Sequence, residues 1–306
     1  MADGTAAVAP MRALAALALL AWATGARAET VGCTVMESIP IVIDTPGHYC
    51  IDQDFETTNV GAFVQIVADD VVFDCNGHTL RNTTPTNWGT GVFAGDNRSN
   101  VTVRDCTLDG FGTGIYLSGS VEPGAQGNTL RGNQVLRSGY VGIQVWGSGN
   151  LIAGNRVTGN TAAQNGAAYG IYLISGNSQG IGNVIRDNIV ADFKVTPPGA
   201  GASSTGIFFG QVHNTEVTGN HVSGLYTITG QTIYALQASD ALGSVVANNT
   251  VLSAPPRPAP YDAIHEYGII LFGPLENHSL NVCRDNVVGH WNLNISGCVN
   301  TGNTEF

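Results

Sequence analysis

A short strand-like motif returns along this chain at intervals of 26 to 36 residues from Gly114 onward. Periods of roughly 20 to 50 residues, each holding one supersecondary unit, are typical of solenoids. The repeat therefore predicts stacked, similar coils rather than a conventional packed domain. The copies of the motif are GVFA (91–94), GTGIYLSGS (112–120), GIQV (142–145), YGIYLISGN (169–177), GIFF (206–209), TIYA (232–235) and GIIL (268–271).

A second series runs out of phase with the first, and in each copy an asparagine stands two residues before a valine. Asparagine tolerates the left-handed backbone region better than most non-glycine residues, so it marks a tight bend between two strands. Stacked coils would place these asparagines one above another, with their amides bonded in a ladder. The predicted ladder consists of Asn133, Asn155, Asn188, Asn220, Asn249 and Asn286.

Each period holds three short apolar segments separated by turns, as in NTLR, QVL and GIQV. The 40 glycines and the many Asn, Thr and Val residues favour strands and turns, so we expect little helix. Strand alternation sends every second residue of the motif into the core. The predicted inward residues are Ile115, Leu117, Ile143, Val145, Ile171, Leu173, Ile207 and Phe209.

Together with VVFDCNGHTL (71–80), which looks like an opening coil, these repeats resemble the right-handed parallel β-helix family, the pectin-lyase-like fold that includes NosD-like proteins. The resemblance implies an all-β, single-stranded solenoid of about eight coils. We expect an N-terminal cap at 29–59, the β-helix at 60–288 and a C-terminal cap or tail at 289–306, because a solenoid needs its open ends covered.

The first 28 residues read as a signal peptide. Arg12 precedes an apolar run, and Ala26-Arg27-Ala28 fits a small-x-small cleavage site. This predicts a secreted or periplasmic protein that starts at Glu29, with translation beginning at Met1 or at Met11. No other apolar run is long enough to span a bilayer.

An even number of cysteines fits an oxidising compartment. Six cysteines allow 15 pairings, and buried free thiols are a further alternative. Proximity along the chain favours three sequential bridges: Cys33 with Cys50, Cys75 with Cys106, and Cys283 with Cys298.

The formal net charge of −11 disfavours nucleic acid as a partner, because an acidic surface repels phosphate backbones. The same repulsion argues mildly against polyanionic glycans. The sequence contains no cofactor motif and no metal-binding spacing, so the metal prediction is none, and calcium is left open without a clear motif. The oligomeric state is also left open.

The outward positions of the repeated strand are mostly aromatic. Planar rings spaced by one strand separation, about 4.8 Å, offer a platform for sugar rings, which predicts a polysaccharide or other glycan as the partner. The alternative is that the rings only stack on one another and stiffen the sheet. The predicted substrate-binding residues are Phe93, Tyr116, Gln144, Tyr172, Phe208 and Tyr234, with Ile270 in the same series.

Two long loops precede copies of the motif and carry reactive side chains. A polysaccharide lyase or C5-epimerase needs a base, an acid and a cation that neutralises the uronate carboxylate. Hydrolysis instead needs two carboxylates, for which Asp192, Asp262 and Glu266 are the candidates. The rival hypotheses are a solvated loop without a catalytic role and a non-catalytic glycan-binding or cell-surface structural protein. The predicted catalytic residues are Arg257, Tyr261, His265, Glu266 and Lys194.

Overall fold

The computed structural model describes residues 32–84, 89–119, 125–161, 167–175, 180–194, 203–227, 231–253, 265–273 and 280–306. These ranges consist of β-strands and the turns between them, and they contain no α-helix. The predicted signal peptide lies outside the described residues. Numbered along the chain, 34 strands form three long sheets, A, B and C, and one short strand pair.

Sheet A has eleven strands. In spatial order they are β1 (Thr34–Val35), β3 (Gly47–Cys50), β6 (Val71–Asp74), β9 (Thr102–Arg104), β13 (Thr129–Arg131), β16 (Leu151–Ala153), β20 (Val184–Arg186), β24 (Glu216–Thr218), β27 (Val245–Ala247), β30 (Val282–Arg284) and β33 (Val299–Thr301).

Sheet C has ten strands. In spatial order they are β4 (Phe55–Thr57), β7 (Thr79–Asn82), β10 (Thr107–Asp109), β14 (Gln134–Leu136), β17 (Arg156–Thr158), β21 (Ile189–Lys194), β25 (His221–Tyr226), β28 (Thr250–Leu252), β31 (Val287–Gly289) and β34 (Thr304–Glu305).

Sheet B carries the repeated motif. Its main path runs through β2 (Ile41–Ile43), β5 (Ala62–Ile66), β8 (Thr90–Ala94), β11 (Thr113–Leu117), β15 (Val141–Ser148), β18 (Ala167–Ile174), β22 (Ser203–Gly210), β26 (Thr232–Ser239), β29 (His265–Phe272) and β32 (Leu293–Ser296). The remaining strands are β12 (Ala125–Gln126), which pairs with β15, and the short pair β19 (Gly180–Ile181) and β23 (Val212–His213).

Each coil passes from sheet A to sheet C to sheet B and then returns to sheet A one layer further on, as in β13, β14, β15 and β16. Neighbouring strands in every sheet pair in parallel, for example Ile143 with Ile115 and Ile171. Eight sheet B strands fall between residues 60 and 288, so the prediction of about eight coils is confirmed.

The segments that flank this range also contribute strands. β1 to β4 precede residue 60, β32 to β34 follow residue 288, and all of them extend the three sheets. A protective role for these terminal coils stays a prediction.

The core fills the interior of the coils. All eight residues predicted to point inward are buried, and they join one continuous cluster with large rings such as Phe63, Phe73 and Phe209. Each fully buried side chain of this kind contributes roughly 1.5–3 kcal/mol. The motif repeats because each coil must present a core row that fits the rows above and below it.

The predicted asparagine ladder is present. Asn155 Oδ1 accepts hydrogen bonds from the backbone N–H and the side-chain amide of Asn133, both at 3.0 Å, and the same pattern continues up the stack. The ladder also extends one step beyond the prediction, to Asn303. Because these amides are buried, the ladder satisfies backbone groups that water cannot reach.

A second ladder, which the sequence analysis missed, lies five residues before the first. Asn128, Asn150 and Asn183 bond to one another in the same way. Thr215, Ser244 and Asn281 continue the row, in which Thr215 N–H donates to Ser244 Oγ and Ser244 N–H donates to Asn281 Oδ1. The constant offset between Asn128 and Asn133, repeated in later coils, was the available signal.

The three predicted disulfides are present: Cys33–Cys50, Cys75–Cys106 and Cys283–Cys298. The first joins the end of β3 to the residue before β1, the third joins β30 to the residue before β33, and no described cysteine is free. Disulfides of this kind are typical of proteins from oxidising compartments.

Candidate functional site

The outward face of sheet B carries two rows of side chains that run along the axis of the stack. Strands β15, β18, β22, β26 and β29, with eight residues each, are the longest in the described chain, and they form the middle of this face. The first row is Phe93, Tyr116, Gln144, Tyr172, Phe208, Gln237 and Ile270. The second row is Val141, Tyr169, Thr205, Tyr234 and Tyr267.

A glycine bend holds the two rows side by side. In β18, Gly170 and Ile171 are both buried, so Tyr169 and Tyr172 both face outward although they are three residues apart. A Cβ atom on Gly170 would lie 2.4 Å from Val190 Cγ1 and 2.5 Å from the carbonyl oxygen of Gly206, which leaves no space for a side chain. At Gly170 the missing side chain therefore permits close packing between coils.

The placement predicted for Tyr234 was wrong. Tyr234 pairs with Thr205 and Tyr267 in the second row, and Gln237 occupies the first-row position beside Phe208. In this coil Ala235 occupies the position that the motif glycine occupies in other coils. The carbonyl oxygen of Ala235 faces Gly206 in the same way that the carbonyl oxygen of Gly206 faces Gly170. The sequence TIYA (232–235) resembles the motif, but the segment that pairs in register with GIFF (206–209) is ALQA (235–238).

An aromatic cluster formed by Tyr140, Tyr169, Tyr172, Phe208, Tyr234 and Tyr267 lies on this face. The rings of Tyr172 and Phe208 stack with centroids 4.9 Å apart and planes 13° apart. Tyr234 and Tyr267 form a second stack, at 5.2 Å and 11°. Tyr169 contacts Tyr172 edge to face at 5.0 Å.

These contacts bear on the alternative that the rings serve only the sheet. The two stacked pairs stiffen the sheet, as that alternative requires, because each ring covers one face of its neighbour. The rings are nevertheless only partly buried, so their outer faces and edges remain open to solvent. The cluster is thus both a stiffening element and an accessible aromatic surface.

Burial raises the pKa of four tyrosines in the cluster. Burial, followed by the neighbouring Tyr140, Tyr172 and Tyr234, raises the pKa of Tyr169 to about 12. Burial also raises the pKa of Tyr140, Tyr172 and Tyr234, and a side-chain hydrogen bond between Tyr234 and Thr232 acts against this shift for Tyr234.

A buried hydroxyl lies among these rings. Thr205 stands between Tyr169 and Tyr234 in the second row, and its Oγ1 is buried without a hydrogen-bond partner among the described residues. Most buried side-chain hydroxyls are hydrogen-bonded, so Thr205 is an exception among the polar groups of this surface.

The other predicted binding residues lie further along the first row. Phe93 and Tyr116 form a separate pair, with ring centroids 5.5 Å apart and planes tilted by 54°. Gln144 separates this pair from Tyr172. Sequence reasoning missed Tyr140, Tyr169, Tyr267 and Gln237, although the dipeptide Tyr-Gly before two copies of the motif was a usable signal.

The predicted catalytic residues are not gathered into one described site. Arg257, Tyr261 and Asp262 lie outside the described residues. Lys194 ends β21 in sheet C, whereas His265 and Glu266 begin β29 in sheet B.

His265 and Glu266 face opposite sides of their strand. His265 is exposed, with its ring centroid 6.1 Å from that of Tyr267. Glu266 pairs in register with the buried Ile233, and its Oε2 accepts a hydrogen bond from Ser253 Oγ at 3.1 Å. A shared catalytic role for these two side chains stays a prediction.

The described ranges contain neither a metal-binding cluster nor a membrane-spanning helix. No group of three or more His, Cys, Asp or Glu side chains is arranged to hold a metal ion there. No helix in those ranges has the length and apolar character needed to cross a membrane.

Three long parallel sheets stacked coil upon coil define the fold class as a parallel β-helix. The family model for the right-handed beta helix region matches residues 70–251, more than half of the chain, so the protein belongs to that family. The fold predicted from the sequence is confirmed. No curated protein sequence matches the chain.

Two solved structures are similar in fold. One is the crystal structure of the Dettilon tailspike protein (gp208), with 15% identity, a TM-score of 0.48 and coverage of 89% of this chain. This chain spans 60% of the tailspike chain. The other is the A-module of the mannuronan C-5 epimerase AlgE6 from Azotobacter vinelandii, with 13% identity, a TM-score of 0.36 and coverage of 85% of this chain and 91% of that one.

Proposed function

We propose that this protein binds polysaccharide chains along sheet B, with the aromatic cluster as the contact surface, and that binding rather than catalysis is its activity. The observation that carries the proposal is the cluster of half-buried aromatic rings, four of which form two stacked pairs on consecutive strands of sheet B. A sugar ring presents C–H faces that pack on aromatic rings and hydroxyls that bond to neighbouring polar groups.

The arrangement of the cluster suits an extended ligand. Five of its six rings lie on β18, β22, β26 and β29, which are consecutive strands about 4.8 Å apart, and the sixth, Tyr140, directly precedes β15. A linear glycan that follows the axis of the stack would meet a ring on every strand. The stacking also fixes the rings before a ligand arrives, which lowers the entropy lost on binding.

The neutral tyrosines favour binding over acid–base chemistry. A tyrosine that abstracts a proton near neutral pH needs a lowered pKa, usually from an adjacent cation. Burial instead raises the pKa values of Tyr140, Tyr169, Tyr172 and Tyr234. These hydroxyls are therefore suited to donate and accept hydrogen bonds rather than to exchange protons with a substrate.

The lyase or C5-epimerase reaction predicted from the sequence is a second candidate. His265 supports it, because its exposed ring stands beside Tyr267 at the edge of the cluster. Changing His265 or Tyr261 to alanine should then abolish turnover of a uronate polymer without lowering the melting temperature. Full activity in both variants would refute this candidate.

Export belongs to the same proposal, because polysaccharides are reached outside the cytoplasm. The three disulfides and the predicted leader support it. Mass spectrometry of the protein recovered from its native host should find Glu29 as the first residue, and an intact leader would contradict export.

Affinity electrophoresis in gels that contain a polysaccharide tests the binding proposal. Tyr172→Ala and Phe208→Ala should each remove most of the retardation, because each deletes one half of a stacked pair. Tyr226→Ala is the matched control, since it removes the same ring type from sheet C. Equal mobility of all four proteins in every gel would refute the proposal.

A further inference from the structure

We propose that the aromatic cluster selects uncharged glycans and rejects chains that carry a carboxylate on each sugar. This inference rests on the proposed function and deepens it by assigning the substrate class. It follows from the distribution of charge over sheet B and its surroundings.

The main-path strands of sheet B offer no lysine or arginine to neutralise a uronate, and their one basic side chain is His265, at the edge of the aromatic cluster. Their single carboxylate, Glu266, bonds to Ser253 and shares a register position with a buried isoleucine. A carboxylate brought against this face would lose water without gaining an opposite charge, which is unfavourable.

Two arginines near the ends of sheet B strands are engaged elsewhere. Arg137, just before β15, donates to both oxygens of Asp109, from Nε at 2.7 Å and from Nη2 at 2.6 Å. Arg98, shortly after β8, donates from Nε to the carbonyl oxygen of Gly95 at 2.9 Å, and its Nη1 lies 3.9 Å from Asp69. Both already interact with protein oxygens.

The polar groups that do lie on the face are neutral. Gln144 and Gln237 flank the Tyr172–Phe208 stack in the first row. They are three strand spacings apart, roughly 14 Å, so an oligosaccharide of about three sugars could reach both. Primary amides donate and accept hydrogen bonds, which matches sugar hydroxyls better than it matches carboxylates.

The overall charge acts in the same direction. The net charge of −11 repels a polyanion before contact, most strongly at low ionic strength. The local surface and the long-range field therefore both disfavour uronate chains.

The test compares matched glycans with and without a carboxylate charge on each sugar. One pair is homogalacturonan oligosaccharide, fully methyl-esterified or de-esterified, and the second pair is mannohexaose and mannuronate hexasaccharide. Affinity is measured by calorimetry at low salt and again at about 0.5 M salt, where charge effects are screened. We expect the neutral member of a pair to bind at least tenfold more tightly at low salt, with an affinity that changes less than twofold with salt.

Two outcomes separate the selectivity from the proposed function. If a de-esterified or mannuronate chain binds at least as tightly as its neutral partner, and Tyr172→Ala removes that binding, the selectivity is overturned while polysaccharide binding stands. If no member of either pair binds, the proposed function fails and this inference fails with it.

Charge insertion gives an independent check. Gln144→Lys and Gln237→Lys place a cation beside the aromatic stack, and each should raise the affinity for the de-esterified chain at least fivefold in a salt-sensitive manner. Gln65→Lys, in the same row but remote from the cluster on β5, is the control and should leave that affinity unchanged. Equal effects of all three substitutions would overturn the local argument.

Discussion

Removing one amide from the middle of the asparagine ladder should destabilise the protein more than removing one from its end. Asn188 is buried and bonds in both directions. Its amide nitrogen donates to Ile152 O and to Asn220 Oδ1, both at 2.9 Å. Its Oδ1 accepts from the backbone N–H and the side-chain amide of Asn155, at 2.9 and 3.0 Å.

The cost of Asn188→Ala can be worked out from these partners. The Asn155 backbone N–H and the Ile152 carbonyl oxygen each lose a buried hydrogen bond, and each orphaned group costs about 1–3 kcal/mol. The Asn155 side chain keeps its bond to Leu130 O, so it adds little. The expected loss is about 2–6 kcal/mol, or a fall in melting temperature of roughly 4–12 °C at about 2 °C per kcal/mol for a chain of this size.

Asn303→Ala is the matched control at the end of the ladder. Asn303 makes the same types of bond, to the N–H and amide of Asn286 and to Cys283 O, but it is only partly buried. Water can replace the lost amide there, so the expected cost is about 1 kcal/mol. Calorimetric melting of both variants measures the difference. Equal losses would refute the argument that burial gives the ladder its strength.

Three further predictions concern the bend, the tyrosines and the disulfides. Gly142→Ala would place a Cβ 2.3 Å from Val157 Cγ1 and 2.7 Å from Gly170 O, so calorimetry should show a loss of stability of about 1–3 kcal/mol. Gly61→Ala is the control and should have little effect, because the nearest atom to its new Cβ would be 3.6 Å away. The folded-state pKa of Tyr169, about 12, exceeds the ordinary tyrosine value of 10.0. Its neutral form therefore stabilises the fold fully below pH 10, and this contribution, at most about 2–3 kcal/mol, is lost as the pH rises through 12. Tyr169→Phe should therefore flatten the alkaline fall in melting temperature, and an unchanged slope would contradict the assignment. Replacing both Cys75 and Cys106 by alanine opens a link between residues 31 apart in sequence and should lower stability by about 3–4 kcal/mol in chemical denaturation, while an unchanged midpoint would count against that contribution.

The fold was predictable because specific residues recur once in each coil. A ladder asparagine must recur once per coil, and a glycine must recur wherever a Cβ would strike the next coil, as at Gly142 and Gly170. The second ladder was harder to find because Thr215 and Ser244 replace asparagine in two coils. A row that tolerates several hydrogen-bonding side chains leaves a weaker pattern.

The candidate site was only partly predictable, because it depends on register as well as on residue type. Phe208 and Tyr172 were placed correctly from the alternation of the motif. Tyr234 was misplaced because Ala235 takes the glycine position and hides the true phase of the coil. Tyr169 and Tyr267 were missed because the bend brings a second row to the surface, which a simple two-residue alternation does not show.

The measurement that tests the central claim most directly is a glycan titration followed by ¹⁹F NMR of the protein labelled with 3-fluorotyrosine, with each signal assigned by a Tyr→Phe variant. The account predicts that a bound neutral oligosaccharide shifts the signals of the cluster tyrosines, Tyr140, Tyr169, Tyr172, Tyr234 and Tyr267. Tyr49, beside the first disulfide, and Tyr226, on sheet C, should not move. Binding that shifts Tyr49 or Tyr226 and leaves the cluster unchanged would contradict the claim that sheet B is the glycan-binding surface.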